Sequence, residues 1–183
     1  MNTSKASFTK TIRLGMLGLL LGLSSCAVLD HDGGAQRLDR NARWALLPIV
    51  NHTEVAQAGL RAEAITEVLL RARGIADLRR YPAALNQDTL FEPAERGMLT
   101  AAMNWAREQD VRYAVTGVVD EWHYKVGIDG EPAAGITLQV IDMKAGGKVV
   151  WSAAGGKSGW SREALSAVAQ KLIKDLLSDA PLE

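Results

Sequence analysis

Few residues of this 183-residue chain have types and spacings that could support catalysis or metal binding. The three histidines, His31, His52 and His123, lie far apart, and none has a serine or cysteine partner in a recognisable nucleophile motif. No histidine or cysteine pair has the short spacing typical of a metal site. We therefore expect ordinary surface or strand-end histidines, and neither a metal nor a cofactor.

Asp120 and Glu121 are adjacent carboxylates, the residue type that hydrolyses glycosidic bonds. They fall in a predicted strand, where neighbouring side chains point to opposite faces, so they cannot flank one substrate from that strand alone. The stretch GGKS at 155–158 resembles a phosphate-binding loop, but position 151, where that loop requires glycine, is Trp151. We interpret the stretch as a flexible strand-to-helix connection and predict that the protein is not an enzyme.

Cys26 is the only cysteine in the chain. It could be a small buried hydrophobe, but its surroundings favour another role. A basic stretch without acidic residues precedes it, followed by an apolar stretch from Leu14 to Leu23, about half the length of a membrane-spanning helix. This order is typical of a signal peptide, and Leu23-Ser24-Ser25-Cys26 resembles the bacterial lipobox. We predict a lipoprotein signal peptide at residues 1–25 and lipidation of Cys26.

Lipidation would attach the chain to a membrane without spanning it. Ala27 follows the cysteine, where aspartate would suggest retention in the inner membrane, so the sorting pattern favours the periplasmic face of the outer membrane. Residues 26–43 are predicted to be a lipidated tether, since Asp30, Asp32 and the neighbouring glycines give them little reason to fold.

Residues 44–183 are predicted to form a single domain, since a chain of about 158 residues without the signal peptide is of ordinary domain size. Loss of the signal peptide leaves 18 basic and 21 acidic residues, a net charge of −3. An acidic chain lacks the basic patch that nucleic acids require. The composition therefore excludes a nucleic-acid partner.

Hydrophobic periodicity predicts an α/β domain with a mixed sheet of about four to five strands packed by three helices. Strands are predicted at 44–50, 75–81, 113–119 with an extension to 125, 135–143 and 148–154, the last two joined by a glycine turn. Pro48 lies inside the first strand and predicts an edge position or a bulge.

The first helix is predicted from the stripe Ile65, Val68, Leu69 and Ala72, and ends at Gly74. A loop is expected at 82–92. The second helix should run from Pro93 to about residue 109. The third should begin at Ser161 as N-cap and extend through a stripe that ends at residue 177.

Several segments together resemble the PelC family of outer-membrane lipoproteins. This family is similar in fold to the curli secretion lipoprotein CsgG, the TolB amino-terminal domain and the LpoB activators of peptidoglycan synthases. The resemblance covers about residues 44 to 177. It rests on WALLPI with Asn51, on YAVTGVVDEWHY at 113–124, on GIDGEP at 127–132, and on VID at 140–142 followed by GKVVWS at 147–152.

The resemblance implies a non-enzymatic lipoprotein that forms an oligomeric ring under the outer membrane. It would help to export Pel, a cationic exopolysaccharide, together with the outer-membrane porin and scaffold protein PelB. Acidic residues around such a ring would attract the polymer through their field. Asp120, Asp129 and Glu131 are the candidates, and for each the alternative is a solvated charge at a strand end or turn.

The alternative function is that of a periplasmic activator of a peptidoglycan synthase or another envelope assembly factor. LpoB-like activators would need a longer arm than the predicted tether provides. The short tether therefore favours the export role.

Trp151 has two interpretations. It is either a core aromatic on the same face as Val149 and Ala153, or a membrane-interface residue whose indole lies among lipid headgroups. Trp160 is the second candidate for the membrane interface. The remaining tryptophans, Trp44, Trp105 and Trp122, are assigned to packing or subunit contacts.

Overall fold

The computed structural model describes residues 27–33, 36–82, 93–127 and 130–183. Several predictions fall outside these residues. They are the signal peptide, Cys26, Asp129 and the expected loop at 82–92 except for its first residue. The predicted α/β class with a mixed sheet and three helices is confirmed, but the sheet has six strands where about four to five were predicted, because β1 adds an edge strand. The elements are β1 (Ala27–Gly33), β2 (Trp44–Asn51), α1 (Ala58–Ala72), β3 (Leu78–Arg80), α2 (Pro93–Glu108), β4 (Tyr113–Tyr124), β5 (Pro132–Asp142), β6 (Lys148–Ser158) and α3 (Leu165–Ser178).

The strands are arranged in the order β1-β6-β5-β4-β2-β3. β2 runs parallel to β3 and β4, and the other neighbouring strands are antiparallel. Helices α1 and α3 pack on one face of the sheet over the larger core, which contains Trp44, Trp122 and Trp151. Helix α2 packs on the opposite face, mainly against β2, over a smaller core. Among the described residues, no helix covers that face over β5, β6 and β1.

The predicted tether differs from the structure. Residues Ala27–Gly33 form an edge strand that pairs antiparallel with β6, and Leu38 is fully buried and bridges to Leu182. An edge strand is held by backbone hydrogen bonds and needs no apolar pattern, so the polar composition did not reveal it. The stretch at 155–158 is likewise part of β6, paired on both sides with β1 and β5, and is not a strand-to-helix connection.

Pro48 lies in an interior strand, because β2 has β4 on one side and β3 on the other. The edge position is therefore wrong and the bulge is confirmed, since the pairing with β4 shifts between Leu46 and Ile49. The Thr116 hydroxyl donates a hydrogen bond of 2.7 Å to the Pro48 carbonyl. The Pro48 carbonyl, which lies at the bulge, therefore has a hydrogen-bond partner inside the sheet.

Helix α1 ends before Gly74, whose φ of 91° suits glycine, as predicted. It turns a different face to the sheet from the predicted stripe: Ala58, Ala62 and Leu70 are buried, whereas Val68 is 65% exposed. The small face is required because a Cβ added to Gly59 would meet the Ile49 carbonyl oxygen at 2.2 Å. Small residues therefore decide the orientation of α1.

Helix α2 begins at Pro93, as predicted, and ends at Glu108. Helix α3 begins at Leu165 with Ala164 as its N-cap, so the N-cap predicted at Ser161 is wrong. Residues 160–163 instead form a turn in which the Glu163 N–H donates to the Trp160 carbonyl at 2.9 Å.

Candidate functional site at one end of the sheet

Asp120 and Glu121 lie near the end of β4, where the strand contains a bulge. The pairing with β5 shifts between Val119 and Glu121, so Asp120 is the extra residue. Val119 and Trp122, which flank the two carboxylates, both belong to the larger core. The prediction that Asp120 and Glu121 alternate across the sheet is therefore wrong, because the bulge interrupts the alternation. Both side chains lie outside that core, 57% and 39% exposed.

Each of these carboxylates has a histidine beside it. The imidazole Nδ1 of His52 lies 3.5 Å from Asp120 Oδ1. The backbone N–H of His52 donates a hydrogen bond of 2.9 Å to the Val119 carbonyl. His123 Nε2 lies 3.4 Å from Glu121 Oε1. No group of three or more metal-ligating side chains is found within the described ranges. The cluster consists of two exposed carboxylate–imidazole pairs.

Glu131 lies opposite Lys125, just beyond the end of β4, and is paired with that cation. Its carboxylate is 3.8 Å from Lys125 Nζ, and its backbone carbonyl accepts a hydrogen bond of 2.7 Å from the Lys125 N–H. Glu131 therefore contributes less net negative charge than Asp120 and Glu121. Asp129 cannot be placed, since it lies outside the described residues.

The same end of the sheet carries the residue next to the predicted lipidation site. Ala27 pairs with Lys157 near the end of β6, and the following residue, Ser158, accepts a hydrogen bond of 2.7 Å from Lys125 Nζ. Trp160 lies three residues beyond Lys157 and is 64% exposed, and Val126 beside Lys125 is fully exposed. We call this region, with Ala27, Lys125, Val126, Ser158 and Trp160, the anchor end.

The turn that carries Trp160 is fixed by Glu163. The Glu163 carboxylate accepts hydrogen bonds from the Trp160 N–H at 3.2 Å and from Lys171 Nζ at 2.5 Å. The Lys171 ammonium and the Trp160 N–H hold the pKa of the Glu163 carboxyl below its usual value. The Tyr124 hydroxyl also accepts a hydrogen bond of 3.1 Å from the Leu165 N–H. Trp160 is therefore exposed on a turn that these hydrogen bonds hold in place.

Trp151 lies in the larger core and is 1% exposed, so the core interpretation is confirmed and the membrane-interface interpretation is wrong. It shares its face with Ala153, as predicted, but not with Val149, which is 43% exposed. A bulge at Val150 explains the difference, because Val140 pairs with Trp151 whereas Ile141 pairs with Val149.

The remaining tryptophans agree with the assignment to packing. Trp44 and Trp122 are buried in the larger core, and Trp105 meets Tyr81 edge-on with ring centroids 5.4 Å apart. None of the helices within the described parts of the chain has the length and apolar character needed to cross a membrane.

A groove of about 400 Å³ separates α1 from α3. It is lined by Leu69, Ala72, Arg73, Lys174, Leu177 and Ser178. Partial burial and the neighbouring Arg40 cation lower the pKa of Arg73, and Arg73 Nη1 has no hydrogen-bond partner among the described residues. The groove therefore combines an apolar floor with a cationic rim.

Comparison with solved structures connects this architecture to known proteins. PelC from Paraburkholderia phytofirmans, solved as a dodecamer, is 40% identical, with a TM-score of 0.72 and coverage of 86% of this chain and 99% of its own. The chain belongs to the PelC family. A variant of that PelC, also a dodecamer, is 41% identical, with a TM-score of 0.73 and coverage of 86% and 100%. The suspected family resemblance is confirmed.

A more distant relative shares the fold of this PelC-family chain. Lipoprotein GNA1162 from Neisseria meningitidis is 18% identical, with a TM-score of 0.53 and coverage of 75% of this chain and 96% of its own. No protein-family model matches the chain, and no curated protein sequence does.

Sequence reasoning missed two features of the site. Strict strand alternation hides the exposure of Glu121, and the sequence signal that reveals it is Trp122, a large apolar residue out of phase with Val119. Val126 gives no sequence signal, because one valine in a polar loop forms no pattern. The pairing of β4, β5 and β6 brings Val126 and Trp160 to the same end, and the pairing of β1 with β6 adds the start of β1.

Proposed function

We propose that this PelC-family protein is a non-enzymatic, lipid-anchored oligomer that assists export of the cationic exopolysaccharide Pel across the outer membrane, in partnership with a porin and scaffold protein of the PelB type. The observation that carries the proposal is the 40% identity with PelC over 86% of the chain. A shared fold alone would not suffice, because one fold serves many functions.

The anchor end faces the membrane in this proposal. A lipid on Cys26 would be attached to the residue directly before β1, which leaves the domain against the membrane surface. Trp160 would enter the headgroup region, where an indole with one polar edge is favoured. A domain held this closely could not reach a distant synthase, which supports the export role over that of a peptidoglycan synthase activator.

The protein acts as a homo-oligomer in this proposal, since the two PelC structures similar to it are dodecamers. Several lipid anchors on one assembly bind the membrane together, so the assembly stays attached far longer than a chain with a single anchor. A closed assembly of identical copies also places the same acidic residues around one axis. Weak individual charges thereby add to a field that a cationic polymer senses over about 10 Å.

Asp120, Asp129 and Glu131 are proposed to face the polysaccharide, and we add Glu121 to this proposal because its carboxylate is 39% exposed beside Asp120. Asp120 and Glu121 are exposed at the anchor end, close to the membrane that the polymer must cross. Glu131 contributes less because Lys125 lies 3.8 Å away. The site is a charged surface that guides the polymer through its electrostatic field.

Deletion of the gene in its own host tests the proposal. We expect the deletion to abolish secreted cationic polysaccharide, measured as hexosamine in the culture medium, and a plasmid copy of the full chain to restore it. A copy with Cys26→Ser should fail to restore secretion. Normal secretion in the deletion strain, or affinity capture of a peptidoglycan synthase in place of an outer-membrane porin, would contradict the export role.

A further inference from the structure

Two histidines accompany the acidic pair of β4. His52 Nδ1 lies 3.5 Å from Asp120 Oδ1, and His123 Nε2 lies 3.4 Å from Glu121 Oε1. The four side chains are between 39% and 57% exposed, so water reaches all of them. Because Asp120 and Glu121 are consecutive, their carboxylates lie within about 10 Å of each other, one Debye length at 0.1 M salt. A charged polymer at this surface therefore senses the summed charge of both carboxylate–imidazole pairs.

The position of His52 is set by the turn that follows β2. Asn51 Oδ1 accepts hydrogen bonds from the Thr53 N–H at 3.1 Å and from the Thr53 hydroxyl at 2.7 Å. Asn51 Nδ2 donates a hydrogen bond of 2.9 Å to the Val55 carbonyl. The backbone N–H of His52 is itself bound to the Val119 carbonyl. The imidazole is therefore carried by a turn with a fixed backbone, directly beside the bulge of β4.

His123 is positioned by the regular part of β4 beyond the bulge. It follows Glu121 by two residues, which places the two side chains on the same face of the strand, and it pairs with Ala133 of β5. Trp122 lies between them and is 1% exposed in the larger core. The buried indole therefore turns His123 and Glu121 together away from that core.

Other charges near the two pairs come from the neighbouring strands and turns. Residues 132–139 of β5 contain no ionisable side chain. Glu54, in the turn after β2, is exposed and adds one carboxylate. Three cations at this end of the sheet are paired with acids: Lys125 with Glu131, Lys157 with Asp175, and Lys171 with Glu163. The strands and turns therefore add little net positive charge.

The helices that pack against β2 and β4 also carry charges. On α1, Arg61 is exposed, and the buried Glu63 is paired with Arg80 at 2.9 Å. Helix α2 has Glu95 and Arg96 in its first turn, one of each sign. Carboxylates, ammonium groups and guanidinium groups ordinarily keep their charge between about pH 5 and pH 8. The imidazoles are therefore the groups whose charge changes in this range.

An imidazole gains a proton as the pH falls from about 8 to about 5. At the upper end of this range, the two carboxylate–imidazole pairs carry a net charge of about −2. At the lower end, each carboxylate lies beside an imidazolium, and the sum is about zero. This cancellation needs only proximity and no strong ion pair, since exposed ion pairs contribute little stability.

We propose that the two carboxylate–imidazole pairs make the attraction of this surface for a cationic polysaccharide depend on pH, strong when the imidazoles are neutral and weak when they are protonated. This inference rests on the proposed function and adds a regulation of the same site. The amino groups of a cationic glycan gain charge as the pH falls, while this surface loses negative charge. The two opposed changes limit how tightly the polymer is held at low pH.

A glycan probe with constant charge tests the proposal. N,N,N-trimethyl chitosan oligosaccharides carry quaternary ammonium groups, whose charge does not depend on pH, so a change in affinity reports on the protein. We expect calorimetry with the full-length lipoprotein in detergent at low salt to show an affinity about three- to ten-fold lower at pH 5.5 than at pH 7.5.

Histidine substitutions separate the imidazoles from every other group. His52→Gln with His123→Gln keeps both carboxylates, and its affinity should differ less than about two-fold between the two pH values. His52→Lys with His123→Lys makes both positive charges permanent and should bind weakly at both pH values. The matched control is His31→Gln in β1, which β6 and β5 separate from β4, and it should keep the full pH dependence.

The other outcomes distinguish this inference from the proposed function. Equal affinity of the unmodified chain at both pH values would overturn the inference and leave the acidic surface intact. An unchanged pH dependence in His52→Gln with His123→Gln would overturn it as well. If the unmodified chain bound the probe at neither pH, both the inference and the polysaccharide-facing role of the acidic residues would be overturned.

Discussion

Asp120 and Glu121 occupy consecutive positions in a β-bulge of β4, and both stay outside the core that buries Val119 and Trp122 on either side of them. A regular strand would have directed one of the two carboxylates into that core. Burial of an unpaired carboxylate costs several kcal/mol, so the bulge is what allows adjacent acidic residues here. The local backbone thereby creates an exposed acidic pair at the anchor end.

Neutralising these carboxylates should weaken attraction to a cationic glycan. We expect the triple variant Asp120→Asn, Asp129→Asn, Glu131→Gln and the double variant Asp120→Asn, Glu121→Gln each to lower the affinity for chitosan oligosaccharides about three- to ten-fold at low salt. In 1 M salt the difference should vanish, because charges are then screened within about 3 Å. Calorimetry at the two salt concentrations measures the effect.

The control for these variants removes one negative charge elsewhere. Glu108→Gln at the exposed end of α2 should leave glycan affinity unchanged. Equal binding by the control, the variants and the unmodified chain would remove the acidic residues of the anchor end from the polysaccharide path.

The class of fold could be predicted from the sequence because its helices and central strands have strong apolar periodicity. β1 could not, since an edge strand with the sequence AVLDHDG depends on backbone pairing with β6. The buried face of α1 was also missed. Its apolar stripe indicated Val68, but the close approach at Gly59 decides which face the sheet accepts.

The candidate site shows the same limit. The lipidation motif is local and could be recognised from a few residues. The position of Trp151 depends on a bulge at Val150, which no sequence pattern predicts. The expected alternation of Asp120 and Glu121 across the sheet fails for the same reason. Single-residue irregularities in long strands reverse which face a side chain occupies, and they are set by tertiary pairing.

Cys26→Ser should abolish membrane retention. The substitution removes the thiol that would carry the acyl chains, and one exposed indole cannot replace several buried chains. We expect the variant to remain uncleaved or unlipidated and to lose metabolic palmitate labelling. Ser25→Ala, which keeps the cysteine beside a small residue, is the matched control and should still be labelled. Unchanged palmitate labelling of Cys26→Ser would refute the lipidation site.

Two tryptophan substitutions should have opposite consequences. Trp151→Ala empties a large volume in the core and should lower the free energy of unfolding by about 3–5 kcal/mol. Trp160→Ala should leave stability within about 0.5 kcal/mol but reduce about ten-fold the vesicle binding of an unlipidated Cys26→Ser chain that lacks residues 1–25. Urea unfolding and vesicle sedimentation separate the two effects. If Trp160→Ala bound vesicles as well as its parent, the anchor end would not be the membrane face.

Asp142 connects three segments at the opposite end of the sheet from the anchor end. Its carboxylate accepts hydrogen bonds from Arg112 Nη2 at 2.9 Å, from the Lys144 N–H at 2.9 Å and from Gln36 Nε2 at 3.2 Å. Burial acts to raise the pKa of Asp142, but the Arg112 guanidinium and the two turn N–H groups outweigh it and hold the pKa below the usual value. The ionised form is therefore the one that stabilises the fold.

The pH dependence of stability follows from the direction of that shift. A carboxyl whose pKa is lowered on folding stabilises the native state fully above its unfolded pKa of about 4, and this contribution disappears as the pH falls through the folded value. Asp142→Asn should therefore lower the free energy of unfolding by about 2 kcal/mol at pH 7, less than for a fully buried pair because Arg112 is 44% exposed. The difference in free energy of unfolding between Asp142→Asn and the unmodified chain should become smaller below about pH 4.

Urea midpoints followed by tryptophan fluorescence measure this difference. The control is Asp110→Asn, which removes only an exposed partner of Lys144 and should show no comparable loss of stability at pH 7. A gap that stays constant down to pH 2 would mean that packing of Asp142, and not its charge, stabilises this end of the sheet.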